Sequence, residues 1–131
     1  MITSIHSVPV VVSDQDRALK FYRDVLGFDV TADQGSGAFR WLTVKPKSGQ
    51  THLMLTKDSP EQAEMYWLGS RLGKWTGMVL NTDDIKAECS RLKSAGARIT
   101  KEPERQHWGG IEAQFADPDG NTFELVEMSV S

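Results

Sequence analysis

Glu124 is the residue whose type and setting could most directly do chemistry. It follows the segment FADPDGN and stands between Phe123 and Leu125 in the strand-like ending TFELVE. Adjacent strand residues point to opposite faces, so packing of Phe123 and Leu125 toward a helix would turn Glu124 to the other side. A buried carboxyl can act as a general base or contact a ligand, because burial raises its pKa. The alternative is that Glu124 meets an arginine, a tyrosine or water and has no catalytic part.

Two tryptophans are the aromatic candidates for ligand contact. Trp41 shares one face of the segment AFRWLTVKP with Phe39, whereas Leu42 occupies the other face. The sequence leaves open which of these faces a ligand would meet. Trp108, in the loop segment HWGG, could stack on a planar ligand. Alternatively, Trp108 covers the edge of the core and the glycines only let the backbone turn.

Composition limits the classes of partner. The chain has 131 residues, of which 39% are hydrophobic and 25% charged, and its net charge is −3. Lysines and arginines never form runs, so we expect no nucleic-acid and no membrane partner. The sequence contains no apolar run long enough for a membrane span and no signal-peptide pattern near its N-terminus. The single cysteine, Cys89, excludes an internal disulfide, and we expect a cytoplasmic location.

The first half of the chain predicts a strand, a helix and three further strands. The segment SDQDRALKFYRDVLG has helical spacing, with Ser13 or Asp14 as cap and Gly27 in the left-handed position after the helix. Pro9 cannot donate to a strand ladder, which places the first strand near a sheet edge or an irregularity. The segment GSG at 35–37 predicts a turn. The predicted strands cover residues 5–12, 28–33, 38–46 and 51–57.

A connector then precedes a second set of elements. Ser59 and Pro60 predict the start of a short helix that ends near Gly69. Trp67 and Trp75, in or beside this connector, would close a binding site or bury a dimer contact.

The second half repeats the order of elements. The segment DDIKAECSRLKSAG predicts a helix whose buried face includes Cys89, which we interpret as a small core residue and not a nucleophile. The segment PERQHWGG predicts a loop, and DPDG at 117–120 favours a type I turn. The predicted strands cover residues 76–82, 97–102, 111–116 and 122–128.

The two halves form an internal repeat. The two helical segments align without gaps at an offset of 69 residues, which pairs Asp14 with Asp83 and Gly27 with Gly96. Neither half could bury both faces of its sheet alone, so we expect one domain over residues 1–131. Module one covers about residues 1–57, the connector about 58–75 and module two about 76–131.

The doubled βαβββ order, together with FYRDVLGF and FADPDGN…ELVE, resembles the vicinal oxygen chelate superfamily. This superfamily contains glyoxalase I, bleomycin-resistance proteins and extradiol dioxygenases. Within it, the chain is most similar to small bacterial glyoxalase-like proteins. The resemblance implies an α+β fold in which paired βαβββ modules form a half-open mixed sheet around a cavity, and it implies a homodimer.

The resemblance also implies four positions for metal ligands, which lie on the first and last strand of each module. In this sequence they fall on Ser7, Met54, Gly77 and Glu124. Only Glu124 matches, whereas a divalent ion of this kind is held by about three or four N, O or S ligands. The standard metal site is therefore not expected.

A displaced metal site is an alternative. His52 shares strand parity with Met54, so with Glu124 and His107 it could hold one Zn²⁺, Ni²⁺, Mn²⁺ or Fe²⁺ ion. Otherwise His52 is a rim histidine bonded to water. His6 is interpreted as structural, facing the helix side unless the first strand bulges.

Further side chains are candidates for the wall of a ligand site. Gln114 and Glu112 alternate with apolar neighbours and would add polar groups to it. Arg40 could answer the charge of Glu124 if Trp41 faced the other way. The candidate ligand-binding residues are Ser7, Trp41, His52, Met54, Gly77, Trp108 and Gln114.

Two functions from different classes follow. The first is a metal-independent binding protein for a small apolar or aromatic molecule. The second is an enzyme, either a metal-dependent glyoxalase-like lyase or a dioxygenase, and a metal-free isomerase or lyase with Glu124 as base lies between them. The sequence does not decide between these functions, because fold does not fix function.

Overall fold

The computed structural model describes residues 1–36, 38–63 and 71–128. These residues form two compact units, Met1–Gly73 and Lys74–Ser131. Each unit contains an open four-stranded mixed sheet and a helix in the order βαβββ, which confirms the predicted α+β fold of paired modules. Within the described ranges, no helix is long and apolar enough to cross a membrane.

The first unit places its proline-containing strand at a sheet edge, as predicted. The sheet order is β1-β4-β3-β2, and β1 runs parallel to β4. The other neighbouring pairs are antiparallel. The elements are β1 (Ser7–Val12), α1 (Gln15–Lys20), a π-helical turn (Phe21–Val25), β2 (Asp29–Ser36), β3 (Phe39–Lys45) and β4 (His52–Lys57).

The second unit repeats this topology. Its sheet order is β5-β8-β7-β6, and β5 runs parallel to β8. The elements are β5 (Trp75–Asn81), α2 (Ile85–Ser94), β6 (Arg98–Arg105), β7 (Ile111–Ala116) and β8 (Thr122–Glu127).

A π-helical turn in the first unit explains a mistake in the sequence alignment. The helices are capped by Asp14, which accepts the N–H of Arg17, and by Asp84, which accepts the N–H of Ala87. Thirteen positions separate Asp14 from Gly27, but only twelve separate Asp84 from Gly96. The extra residue lies in the π-helical turn, where a hydrogen bond spans five residues instead of four. The offset of 69 therefore pairs the two glycines correctly and pairs Asp14 with Asp83 wrongly.

Two predicted loops are partly strand. Gly35 and Ser36 belong to β2, where Gly35 pairs with Arg40, so the predicted GSG turn is shorter than expected. Likewise, β6 extends to Arg105 through the segment predicted as a loop. Pairing with β7 overrides the local signal of Pro103, because a register shift between Lys101 and Glu104 accommodates the missing N–H of the proline.

The connector begins with a turn. Ser59 accepts the N–H of Gln62 through its side chain and that of Ala63 through its carbonyl, which resembles the predicted helix start. Ala63 and Leu72 pack against Val11 of β1. The remaining part of the predicted helix, including Trp67 and Gly69, lies outside the described residues.

Strands β3 and β4 pair over only two residue positions and are then held together by side chains. The ladder comprises Thr43 with Met54 and Val44 with Leu53. Beyond it, Gln15 Nε2 donates to the carbonyls of Arg40 and Leu55 at 3.0 and 2.9 Å. Gln62 Nε2 donates to the same Arg40 carbonyl at 2.9 Å. We call this region the β3–β4 seam.

The segment that resembles the family motif near the C-terminus is a structural turn. Asp117 is buried, and its Oδ1 accepts the N–H groups of Asp119 and Asn121, each at 2.9 Å. The amide of Asn121 donates to Asp117 Oδ2 at 2.8 Å. Asp117 therefore fixes the DPDG turn and aligns the start of β8, so this carboxylate is occupied in holding the backbone.

Because Asp84 and not Asp83 caps α2, replacing the two aspartates should have different effects on stability. Replacing Asp84 with alanine should lower the free energy of unfolding by about 1 kcal/mol, because the N–H of Ala87 loses its side-chain acceptor. The matched control is Asp83→Ala, at the exposed position that the sequence alignment equates with Asp14, and it should change stability much less. Urea unfolding of both variants measures the difference. Equal losses would contradict the structural offset.

Candidate functional site

The position of Arg40 settles which side of the first sheet faces its helix. Arg40 shares its side of β3 with Leu42 and Val44, which are fully buried. Its Nη1 lies 2.6 Å from Asp16 Oδ1 of α1. This side of the strand therefore faces α1, and Trp41 projects from the opposite face. We call that opposite surface the His52 face; its members include Ser7, Trp41, Thr43, His52 and Met54.

Arg40 has its own charge partners within the first unit. Besides Asp16, it binds Asp33 through two contacts of 2.8 and 2.9 Å. The hydrogen bond from Arg40 lowers the pKa of Asp33 below its ordinary value. The suggestion that Arg40 answers the charge of Glu124 is therefore replaced by an ion pair that links α1 to the β2–β3 hairpin.

Hydrogen bonds hold His52 from one side. Its Nδ1 lies 2.8 Å from Thr31 Oγ1, which in turn lies 2.7 Å from Thr43 Oγ1. Thr31 reaches this position because the register of β2 shifts between Val30 and Ala32, which inserts one extra residue opposite Thr43. Sequence reasoning missed Thr31, since nothing in the local residue pattern signals this bulge.

A second histidine holds the plane of the His52 ring. The rings of His6 and His52 stack with centroids 5.0 Å apart and an interplanar angle of 9°. The predicted orientation of His6 toward the helix side is not observed. His6 precedes the first residue of β1, so strand alternation does not govern its direction.

The remaining predicted residues of the His52 face lie on β1 and on β4, the strand that also carries His52. Ser7 is opposite His52 in the parallel ladder, and Met54 is opposite Pro9 on one side and Thr43 on the other. Met54 and Thr43 are buried, with 4% and 2% of their surfaces exposed. The structure thus brings Ser7, His52 and Met54 together on one face, next to an uncharged pair of threonine hydroxyls.

Glu124 projects away from the helix of the second unit, as predicted. Glu127 shares its side of β8 with Phe123 and accepts the N–H of Ile85 at the start of α2 at 2.9 Å. On this helix side, Phe115 and Phe123 stack with centroids 5.3 Å apart. Cys89 is buried on the same helix, and burial is the main cause of the raised pKa of its thiol. That setting agrees with its interpretation as a core residue.

Glu124 has a carboxyl neighbour on its own face. Gln114 is directly opposite Glu124 in the ladder, and Glu112 is diagonal to it. Burial raises the pKa of Glu124, and the hydrogen bond and negative charge of Glu112 raise it further, whereas Lys101 lowers it. The protonated form of Glu124 is therefore favoured. Glu112 was expected only as a polar wall residue, and its pairing follows from the register of β7 and β8.

Gly77 stands in an irregular part of β5. Between the pairs Trp75–Thr122 and Val79–Glu124, the register shifts, and Gly77 adopts a φ of 78°. The Thr76 hydroxyl donates to the carbonyl of Thr122 at 2.8 Å and holds this bulge. A residue with a Cβ would be strained at position 77, although nothing lies within 4 Å of the place such an atom would occupy.

His107 and Trp108 lie in an exposed turn between β6 and β7. The indole ring of Trp108 lies against Gly110, in the space that a side chain at position 110 would fill. A side chain at position 110 would therefore displace the indole ring from this place. With 43% of its surface exposed, Trp108 still presents area to solvent. Its contact with a ligand stays a prediction.

Comparison with known proteins identifies the family. Residues 4–125 match the Glyoxalase/Bleomycin resistance protein/Dioxygenase superfamily. The chain belongs to this superfamily. A solved superfamily member from Sphaerobacter thermophilus is 38% identical to this chain, with a TM-score of 0.86. The match covers 97% of this chain and 98% of the Sphaerobacter chain.

Relatives within the superfamily carry different functional names. TnmS3, an antibiotic binding protein from Streptomyces sp. CB03234, is 38% identical with a TM-score of 0.81, over 98% of both chains. At lower identity, a probable lactoylglutathione lyase from Synechocystis is 28% identical over 90% of both chains.

The four superfamily ligand positions do not fit a metal ion. They carry a hydroxyl at Ser7, a buried thioether at Met54, no side chain at Gly77 and one carboxyl at Glu124. In the described part of the chain, no three His, Cys, Asp or Glu side chains are grouped so that they could hold a metal. The displaced site of His52, His107 and Glu124 draws on both units and stays a prediction.

The conformation of Gly77 yields a test by substitution. Gly77→Ala should lower the free energy of unfolding by about 1 kcal/mol, because alanine is strained at positive φ. Gly49→Ala is the matched control: its new Cβ would meet only Pro46, at an ordinary distance of 3.5 Å. We expect little loss there. Urea unfolding of both variants measures the two losses. A free energy of unfolding that is unchanged in Gly77→Ala would contradict the positive φ at this position.

The carboxyl pair predicts how stability depends on pH. Because the pKa of Glu124 is raised above 4.5, the folded state binds more protons than the unfolded state between that value and the raised pKa. Stability should therefore fall as pH rises through this window. Glu112→Gln should make the fall smaller, since it removes the neighbouring charge but leaves the effect of burial.

The measurement is urea unfolding from about pH 4 to about pH 8, comparing the slope of stability against pH. Glu61→Gln, at an exposed position in the turn after Ser59, is the control and should retain the wild-type slope. A slope unchanged in Glu112→Gln would show that the two carboxyl groups do not interact.

Proposed function

We propose that the protein binds a small apolar or aromatic molecule on the His52 face without a metal ion. The observation that carries the proposal is the chemistry of this face. Trp41 and Met54 supply aromatic and apolar side chains, while His52 supplies a hydrogen-bonding group that Thr31 orients. Such a combination of mainly apolar surface with a few placed polar groups is typical of small-molecule sites.

The described ends of the connector support the same location. Ala63 and Leu72 pack against Val11, which lies on the same side of β1 as Ser7. The connector thus approaches the edge of the His52 face and would limit the access of water to a ligand there. The similarity to TnmS3 over nearly the whole chain also favours binding of an antibiotic-like molecule.

The oligomeric state and the cellular location that we propose are those expected from the sequence. We propose a homodimer, as the superfamily resemblance implies, and a cytoplasmic location, which the single buried Cys89 favours. We also retain the division into two modules and a connector as one functional domain.

Titration of the metal-stripped protein with a panel of planar aromatic antibiotics tests the main proposal. We expect at least one to bind, with affinity unchanged by added Zn²⁺ or Ni²⁺. Trp41→Ala should weaken binding roughly ten-fold, because truncating a large aromatic contact residue typically has an effect of this size. Isothermal titration calorimetry measures the affinity without relying on tryptophan fluorescence.

The matched control is Trp75→Ala, because Trp75, which the sequence suggested for closing the site or for a dimer contact, is 53% exposed on β5 and is not part of the His52 face. It should bind as the wild type does. Near-stoichiometric retention of a divalent ion that is lost in Glu124→Ala, together with metal-dependent ligand binding, would refute the metal-free proposal.

A metal-dependent lyase is the second candidate, and two observations favour it. Glu124 occupies a superfamily ligand position with a raised pKa, and a relative carries the name probable lactoylglutathione lyase. Assay of lactoylglutathione formation with Zn²⁺, Ni²⁺, Mn²⁺ or Fe²⁺ separates the candidates. Turnover that is lost in Glu124→Gln would support the lyase. Ligand binding that survives Glu124→Gln, with no turnover, supports the binding protein.

A further inference from the structure

We call the hydrogen-bonded series Thr43–Thr31–His52 the hydroxyl chain. The burial of Thr43 indicates which group donates the first hydrogen bond in it. Only 2% of Thr43 is exposed, and within the described ranges the one hydrogen-bond partner of its hydroxyl is Thr31 Oγ1, at 2.7 Å. A hydroxyl can donate one hydrogen, and a buried donor without an acceptor is destabilising. Thr43 therefore donates to Thr31.

Donation from Thr43 to Thr31 favours one of the two hydrogen positions on His52. Thr31 accepts from Thr43, so its own single hydrogen is free to donate to His52 Nδ1, which lies 2.8 Å away. A neutral imidazole that accepts at Nδ1 carries its hydrogen on Nε2. In the opposite arrangement, with hydrogen on Nδ1, Thr31 would accept from both Thr43 and His52, and its own hydrogen would have no acceptor among the described protein groups.

We propose that the hydroxyl chain favours the form of His52 that donates from Nε2–H, which selects ligands carrying a carbonyl or similar oxygen acceptor. The inference rests on the proposed function, because it specifies the ligand class of the same face. No side chain or backbone group in the described segments hydrogen bonds to His52 Nε2. The ring stack with His6 fixes the imidazole plane, and so it fixes the direction of the N–H.

This arrangement defines which ligands the face favours and disfavours. An uncharged aromatic molecule with a carbonyl gains a hydrogen bond from His52 and apolar contact from Trp41 and Met54. A hydrocarbon of the same shape gains only the apolar contact.

Nuclear magnetic resonance of protein labelled with ¹⁵N at histidine tests the hydroxyl chain directly. The spectra are recorded at about pH 8.5, well above an ordinary imidazole pKa of about 6.5. His52 should be predominantly in the Nε2–H form. Thr31→Val should increase the Nδ1–H form, and Thr43→Val should shift the ratio in the same direction.

Thr51→Val is the matched control, because it removes a hydroxyl adjacent to His52 in sequence that bonds to the carbonyl of Ile5 instead. It should leave the ratio unchanged. A predominant Nδ1–H form in the wild type, or a ratio unaffected by Thr31→Val, would overturn the inference whether or not the protein binds any ligand.

Fluorenone and fluorene, which share a planar skeleton and differ in one carbonyl, test the selectivity. Fluorenone should bind roughly five-fold more tightly than fluorene, as expected for one net hydrogen bond. The preference should disappear in His52→Ala and shrink in Thr31→Val. Equal affinities in the wild type would overturn the selectivity while leaving the proposed function intact. Failure of both compounds to bind would count against the proposed function, and the tautomer ratio would still decide the hydroxyl chain.

Discussion

Each unit depends on the docking of one helix against one face of its sheet. The ion pair between Arg40 and Asp16 marks the docked face in the first unit, and the bond from Ile85 N–H to Glu127 marks it in the second. Because strand side chains alternate, fixing one face by packing also fixes every residue on the other. This constraint turns His52 and Glu124 away from the helices. Neither residue takes part in the two helix–sheet contacts named above.

The two units use the same positions for different chemistry. Helices α1 and α2 begin at Gln15 and Ile85, and strands β4 and β8 begin at His52 and Thr122, so equivalent residues lie 70 apart. At this offset Met54 corresponds to Glu124, and Ser7 corresponds to Gly77. The first unit has therefore become apolar and uncharged where the second keeps a carboxyl group. The two units share one topology, and the residues at a few equivalent positions give them distinct surfaces.

The sequence was informative where local chemistry determines local structure. Apolar spacing predicted both helices, the turn residues of DPDG predicted the turn that Asp117 holds, and alternation predicted the direction of Glu124. It failed where one or two residues are added to a regular element. The π-helical turn, the bulge at Thr31 and the irregular strand around Gly77 all arise from packing between elements, which periodicity does not contain. The hydroxyl chain at His52 depends on one of these insertions, so sequence could name His52 but not its partners.

At the β3–β4 seam, side chains replace backbone pairing between two strands of the first sheet. Backbone pairing stops after two positions, and the Gln15 amide of α1 spans the gap beyond, while Gln62 of the connector donates to the β3 side of it. Residues outside the sheet therefore set the spacing between two of its strands. Changes at positions 15 and 62 could alter the room available beside Trp41 without changing any strand residue. In such a fold, the size of a ligand site can evolve separately from the groups that recognise the ligand.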